Sequence, residues 1–115
     1  MNCRREIGKE GEKIAADYLE QLGYEILVQN WRHKHLEVDI IAKDGACLLF
    51  VEVKVRKSKV FGEEHRLLSK RQQTALTRAA NAYIMENNFD GQIRFDLISI
   101  IDDKLTYIKD AFWNY

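Results

Sequence analysis

The sequence predicts an α/β fold, a mixed central sheet flanked by helices in the order α-β-β-β-α-β-β. Three observations predict it. Two segments carry apolar residues at helical spacing, others alternate apolar and polar residues, and the stretch from Cys47 to Ile101 reads strand, helix, strand. That stretch is long enough for a right-handed crossover between parallel strands.

Gly8 to Leu22 reads as the first helix, closed by Gly23 in the usual capping position. At about 100° per residue, Ile7, Gly11, Ala15, Tyr18, Leu19 and Leu22 share an arc, with Glu12 at its edge. Strand character follows at Tyr24 to Gln29, Glu37 to Ala42 and Cys47 to Val55. In the third, Leu49, Val51, Val53 and Val55 share one face and Phe50, Glu52 and Lys54 the other. Lys43-Asp44-Gly45 is turn chemistry, which makes the second and third strands an antiparallel pair. Arg56 to Leu68 is polar and reads as a loop. Ser69 then opens a helix, with Gln72 as its capping-box partner and Leu76, Ala79, Ala80, Tyr83 and Ile84 on its apolar face. Ile93 to Ile101 and Leu105 to Ile108 complete the strands.

The 115 residues are expected to form a single domain (1–115), 46% hydrophobic and 31% charged. The longest apolar run, Ala46 to Val51, is too short to span a bilayer, and no secretory signal follows Met1, so a soluble chain in a reducing cytoplasm is expected. Cys3 and Cys47 lack metal-ligand spacing. Net charge is zero, from 18 basic and 18 acidic residues, which excludes a surface uniformly coated for nucleic acid and leaves only local patches.

The unusual feature is charge inside strands. Asp39 runs into Ile40-Ile41-Ala42, and Glu52 and Lys54 stand among Leu48 to Val53. Burying a lone carboxylate or ammonium costs several kcal/mol, so something must compensate. On a purely structural reading Glu52 and Lys54 would be ordinary solvent-facing residues of an exposed sheet face and Asp39 a turn acid. With Asp39 facing Glu52 across an antiparallel pair, two like charges share a proton or hold a cation. Hard oxygen ligands favour Mg²⁺ or Mn²⁺, and an adjacent Lys54 completes a set sufficient for phosphodiester hydrolysis.

Gly11-Glu12-Lys13-Ile14-Ala15, Gly23-Tyr24, Asn30-Trp31-Arg32, Glu37 to Ala42, Phe50 to Arg56, Arg94-Phe95-Asp96 and Asp110-Ala111-Phe112 together resemble the YraN family, over about Gly8 to Phe112. This is a bacterial family of uncharacterised, endonuclease-like proteins, similar to archaeal Holliday-junction resolvases of the PD-(D/E)XK superfamily. The resemblance implies a restriction-endonuclease-like three-layer core. It also implies a metal-dependent nuclease acting on DNA, with branched DNA as a candidate substrate. Asp39 and Glu52 would be metal ligands, the Val53 carbonyl a third, and Glu12 would reach the metal directly or through water. Lys54 would position water or phosphate. Glu37, on the strand face of Asp39, is a lower-ranked alternative ligand. Leu36 departs from the family's usual glycine before Glu37. Related resolvases act as dimers, which makes a homodimer an expectation.

Basic residues flank the proposed site: Arg32 and Lys34 before it, Arg56, Lys57 and Lys59 after it, and Lys70 and Arg71 at the start of the second helix. With Gln72 as a polar contact and Trp31 as a stacking surface, these are the expected nucleic-acid contacts. Either basic segment alone reads as a solvated loop. His33 and His35 lack a third ligand and are not expected to hold a metal. Trp113 and Tyr115 are expected to pack on the core edge or in a dimer contact. The alternative reading is a non-catalytic nucleic-acid-binding module that retains the nuclease fold. A third is an interaction protein that pairs through its sheet edge.

Overall fold

A computed structural model describes residues 3–57 and 68–112, with side chains from residue 9 onward. Among these residues the order is α1 (Cys3–Gln21), β1 (Glu25–His33), β2 (Leu36–Asp44), β3 (Cys47–Arg56), α2 (Lys70–Glu86), β4 (Ile93–Ile101) and β5 (Lys104–Ile108). The strands form one sheet in the order β1-β2-β3-β4-β5. Only β3 and β4 are parallel, because α2 lies between them in the chain.

The alternation read in β3 decides the layers. Leu49 and Val51, with Ile40, Ala42 and Ile98, pack under Ala15, Ala16 and Leu19 of α1. On the opposite face Leu48, Phe50 and Ile41 meet Leu76, Ala79 and Ala80 of α2. The result is the expected three-layer α/β core. Burying each large apolar side chain contributes about 1.5–3 kcal/mol, so Phe50, fully enclosed and edge-on to Tyr83, is a main support of the α2 face. Gly11 sets how closely α1 approaches β3, since a Cβ there would run into Cγ2 of Val55. Val55 is β-branched and stiff at χ1, so it has little freedom to yield.

The second helix starts as read. Ser69 accepts from the Gln72 N–H at 3.1 Å, and the Gln72 side chain accepts from the Ser69 N–H at 2.9 Å. Several boundaries move. The first helix starts at Cys3 rather than Gly8 and ends at Gln21, so Leu22 falls in the turn and is 45% exposed instead of joining the buried arc. The first strand runs on to His33, so Trp31 and Arg32 lie in a ladder opposite Val38 and Glu37. Lys34 makes the turn at φ 57°, and Leu36 opens β2 opposite His33. The expected Arg56–Leu68 loop begins one residue later, since Arg56 is still paired in β3, and most of that loop lies outside the described residues. Lys59, Trp113 and Tyr115 also lie outside them. No helix among the described residues is long and apolar enough to cross a membrane.

Candidate metal and phosphate site

The site forms where the sheet splits. The β2–β3 ladder runs from the Asp44–Cys47 turn to the pair Ile40–Val51. Beyond that pair β2 continues to Leu36 against β1, while β3 continues to Arg56 against β4. The two strands part like a fork. Asp39 and Glu52 are the residues immediately after the last pair, one from each prong.

Asp39 caps the fork. Its Oδ2 accepts the Val53 N–H at 2.8 Å, the place a β2 carbonyl would take had the ladder continued. In an extended strand the N–H and C=O of one residue point to the same side, so the Val53 carbonyl is also directed into the fork. Asp39 is 9% exposed, so it carries this hydrogen bond out of reach of bulk water. Glu52 is half-buried and borders a cavity of about 250 Å³, with Glu37, His35, Leu36 and the α2 residues Gln72, Ala75 and Leu76. Lys54 follows on the same face of β3 and lies within Coulomb range of Glu52.

Glu12 enters from the other layer. The close contact at Gly11 presses α1 onto β3, and the next residue extends its carboxyl toward the fork. The Asn30 side chain lies near enough to that carboxyl to favour its charged form. Asn30 lies opposite Asp39 in the β1–β2 register and adopts φ 55° within a strand. That conformation is rare for a residue with a side chain, and Asn is among the few that tolerate it.

The four acids are electrostatically crowded. Burial raises the Asp39 pKa to about 7, opposed by the Val53 N–H and reinforced by the charges of Glu12 and Glu37. Burial raises Glu52 to about 8, with Asp39 adding to the shift, Lys54 opposing it, and Glu37 and Glu12 reinforcing it. Glu12 is raised by burial, opposed by the nearby Asn30 side chain, with the charge of Glu37 adding to the rise. A single cation at the fork would relieve all of these repulsions at once. Among the described residues no three or more His, Cys, Asp or Glu side chains stand close enough together to hold a metal ion between them. The donor set fits a cation of the Mg²⁺ type, which takes one or two carboxylates and fills its shell with water and phosphate oxygens.

Sequence-predicted residues are therefore partly brought together. Asp39, Val53 and Glu52 come together at the fork, and Glu12, Glu37 and Lys54 lie within electrostatic range of it. The basic residues scatter. Arg56 and Lys57 line a different depression, of about 350 Å³, together with Glu10, Asp102 and Asp103. Arg32 is exposed and alternates to the face opposite Trp31. Trp31 is not an open stacking surface: it lies parallel to His33, with ring centroids 5.9 Å apart, and edge-on to Tyr83. His33 pairs with Glu86 at 3.3 Å. Lys70 and His35 border a depression beside α2 that also contains Arg71 and Arg78. Asn30 and Arg78 are the residues that sequence reasoning passed over. Arg78 had a readable signal, since it stands seven residues after Arg71 on the same helix face.

Fold and site thus define a three-layer α/β domain with a mixed five-strand sheet and an acid cluster at a strand fork. Residues 11–100 match uncharacterised protein family UPF0102, the YraN family. The chain is 41% identical over 119 residues to a UPF0102 protein of Christiangramia forsetii, covering 100% of both chains. It is 44% identical over 111 residues to one of Thermodesulfovibrio yellowstonii, covering 96% of this chain and 99% of the relative. A UPF0102 protein of Chlorobium chlorochromatii is 39% identical over 122 residues, covering 97% and 95%. The chain belongs to this family.

Proposed function

We propose that the chain is a divalent-metal-dependent nuclease that hydrolyses DNA phosphodiester bonds, with branched DNA as a candidate substrate. One observation carries this reading: an aspartate that ends a strand ladder by capping Val53, beside a half-buried glutamate whose own ionisation it opposes. Crowded, desolvated acids are an unfavourable way to build a sheet and a favourable way to hold a cation and a phosphate. The motif likeness to archaeal resolvases supports the same reading.

Asp39 and Glu52 would hold the cation, with the Val53 carbonyl beside them and Glu12 at the rim. When bound, Mg²⁺ or Mn²⁺ would polarise the phosphate and make a bound water acidic. Lys54, beside Glu52, orients the attacking water or balances charge gathering on the phosphate. Asn30, near the Glu12 carboxyl, would help to orient it. The test is cleavage of duplex, single-stranded and four-way-junction DNA with Mg²⁺ or Mn²⁺, comparing wild type with Asp39→Ala and Lys54→Ala. Each change is expected to lower the rate by at least about a hundredfold, by analogy with the loss of other catalytic groups. Absence of any metal-dependent activity that these changes remove would sink the enzyme reading. A second reading, a non-catalytic nucleic-acid-binding module, draws on the lack, among the described residues, of three or more His, Cys, Asp or Glu side chains grouped to hold a metal ion. It predicts salt-dependent DNA affinity that Asp39→Ala leaves intact or improves.

A further inference from the structure

We propose that the phosphodiester backbone of the substrate leaves the acid cluster along the exposed face of α2, gripped by Arg71 and Arg78. This rests on the nuclease reading of the fork. Two depressions adjoin there, sharing His35, Leu36 and Ala75. One, of about 250 Å³, reaches Glu37 and Glu52, and the other, of about 380 Å³, is walled by Lys70, Arg71, Thr74 and Arg78. Together they make a continuous path from the acids onto the helix.

Helical spacing makes the wall regular. Arg71, Thr74 and Arg78 stand at i, i+3 and i+7, one stripe on one face. Seven residues at 1.5 Å each span about 10 Å, comparable to about three base-pair steps of duplex. Its two charges, Arg71 and Arg78, are both positive. The only acid in α2 is Glu86, its last residue, and that carboxylate faces His33. Arg56 and Lys57 contrast with this, because their depression also holds Glu10, Asp102 and Asp103. A polyanion meets repulsion there and none along α2. The path divides the work between its ends: cationic side chains hold phosphates on the helix, while the acids at the fork accept a phosphate only through a cation.

The test uses the full chain in an Asp39→Asn background, so that binding is read without cleavage, plus wild-type cleavage measured alongside. Anisotropy of fluorescein-labelled duplex DNA is recorded against salt for the parent, for Arg71→Gln with Arg78→Gln, and for the control Lys104→Gln on exposed β5. Circular dichroism verifies folding of each. The double change is expected to weaken binding at least about tenfold and to make the log-affinity against log-salt slope shallower by about two. Lys104→Gln should change neither. Parental affinity and slope in the double variant, with Asp39-dependent cleavage intact in wild type, would overturn the α2 path and spare the nuclease reading. An equal loss in the control would also overturn the path. Neither cleavage nor salt-dependent binding by the wild type would remove both.

Discussion

Two buried carboxylates stand almost side by side in this sheet and are treated in opposite ways. Asp96 of β4 is paired in register with Val51, the residue before Glu52. It is fully buried and accepts four hydrogen bonds: from Arg94 Nε at 2.9 Å and Nη2 at 2.8 Å, from the Asp110 N–H at 2.9 Å, and from the Tyr107 hydroxyl. Those partners tie β4 to β5 and to the turn that follows it. The same carboxylate raises Arg94 further above its already high range. Asp39, in contrast, has a backbone N–H for a donor and carboxylates for neighbours. Burial alone does not distinguish a structural acid from a chemical one. The surrounding donors do.

The largest expected effect separates the two on stability. Asp96→Asn removes the closer of two counter-charges of a guanidinium that is itself mostly buried, leaving Asp44 at 3.7 Å, and breaking such a buried pair costs about 3–5 kcal/mol. Asp39→Asn keeps an oxygen for Val53 and removes one repelling charge, so it should leave the metal-free chain as stable or about 1 kcal/mol more stable. Urea denaturation of both variants at neutral pH without metal checks this. Equal losses would mean that Asp39, like Asp96, is a structural acid, and the contrast would be gone.

How much of this was legible follows the same line. Elements were readable because alternation in β3, the Ser69–Gln72 box and Gly23 are local signals. The acids of the fork were conspicuous because charge is costly inside apolar strands. The fork itself was not readable. Nothing in the residues around Ile40 and Val51 says that the ladder stops there, because strand parting depends on what each prong pairs with next. Asn30 was hidden for a related reason, since its left-handed backbone within β1 and its nearness to Glu12 of α1 are set by the assembled fold and not by local spacing. The Asp96 network joins residues 11 to 14 positions apart through Tyr107 and Asp110, a contact that no short-range spacing encodes. Basic runs misled in part, because clustering in sequence put Arg56 and Lys57 among acids, while two arginines a helical repeat apart made the more uniform surface.

The contrast also predicts a pH response of intermediate size. Asp39 and Glu52 are raised to about 7 and about 8, above unfolded values near 4. In that window the folded chain holds more protons than the unfolded one, so stability is fully present below about pH 4 and falls as pH rises toward 8. Because the acids compete for the same ionisation, the loss is about 1–3 kcal/mol for the cluster as a whole. Melting temperature should fall from about pH 5 to about pH 8 in chelator. Mg²⁺ or Mn²⁺ should restore more of it at the higher pH, where the ligands are ionised. An Asp39→Asn variant with the wild-type pH slope would break the crowding account.

The smallest effect sharpens the comparison by moving one site and sparing the other. Gly11 meets Val55 of β3, and the neighbouring Glu12 reaches the fork. Gly11→Ala gains about 1 kcal/mol of helix propensity and costs about 1–3 kcal/mol of overpacking against Val55. The net change is therefore a loss of about 1 kcal/mol, with α1 shifted off β3. Relief of that overlap displaces Glu12 from Asn30 and the fork, whereas the Arg94–Asp96 network, built from β4 and β5, stays as it is. Amide chemical shifts should therefore move at residues 12, 30, 39 and 53 and hold at 94, 96 and 110, with the metal-dependent gain in melting temperature reduced. Uniform shifts across both sets, or an unchanged response to metal, would show that the packing of α1 does not set the geometry of the acid cluster.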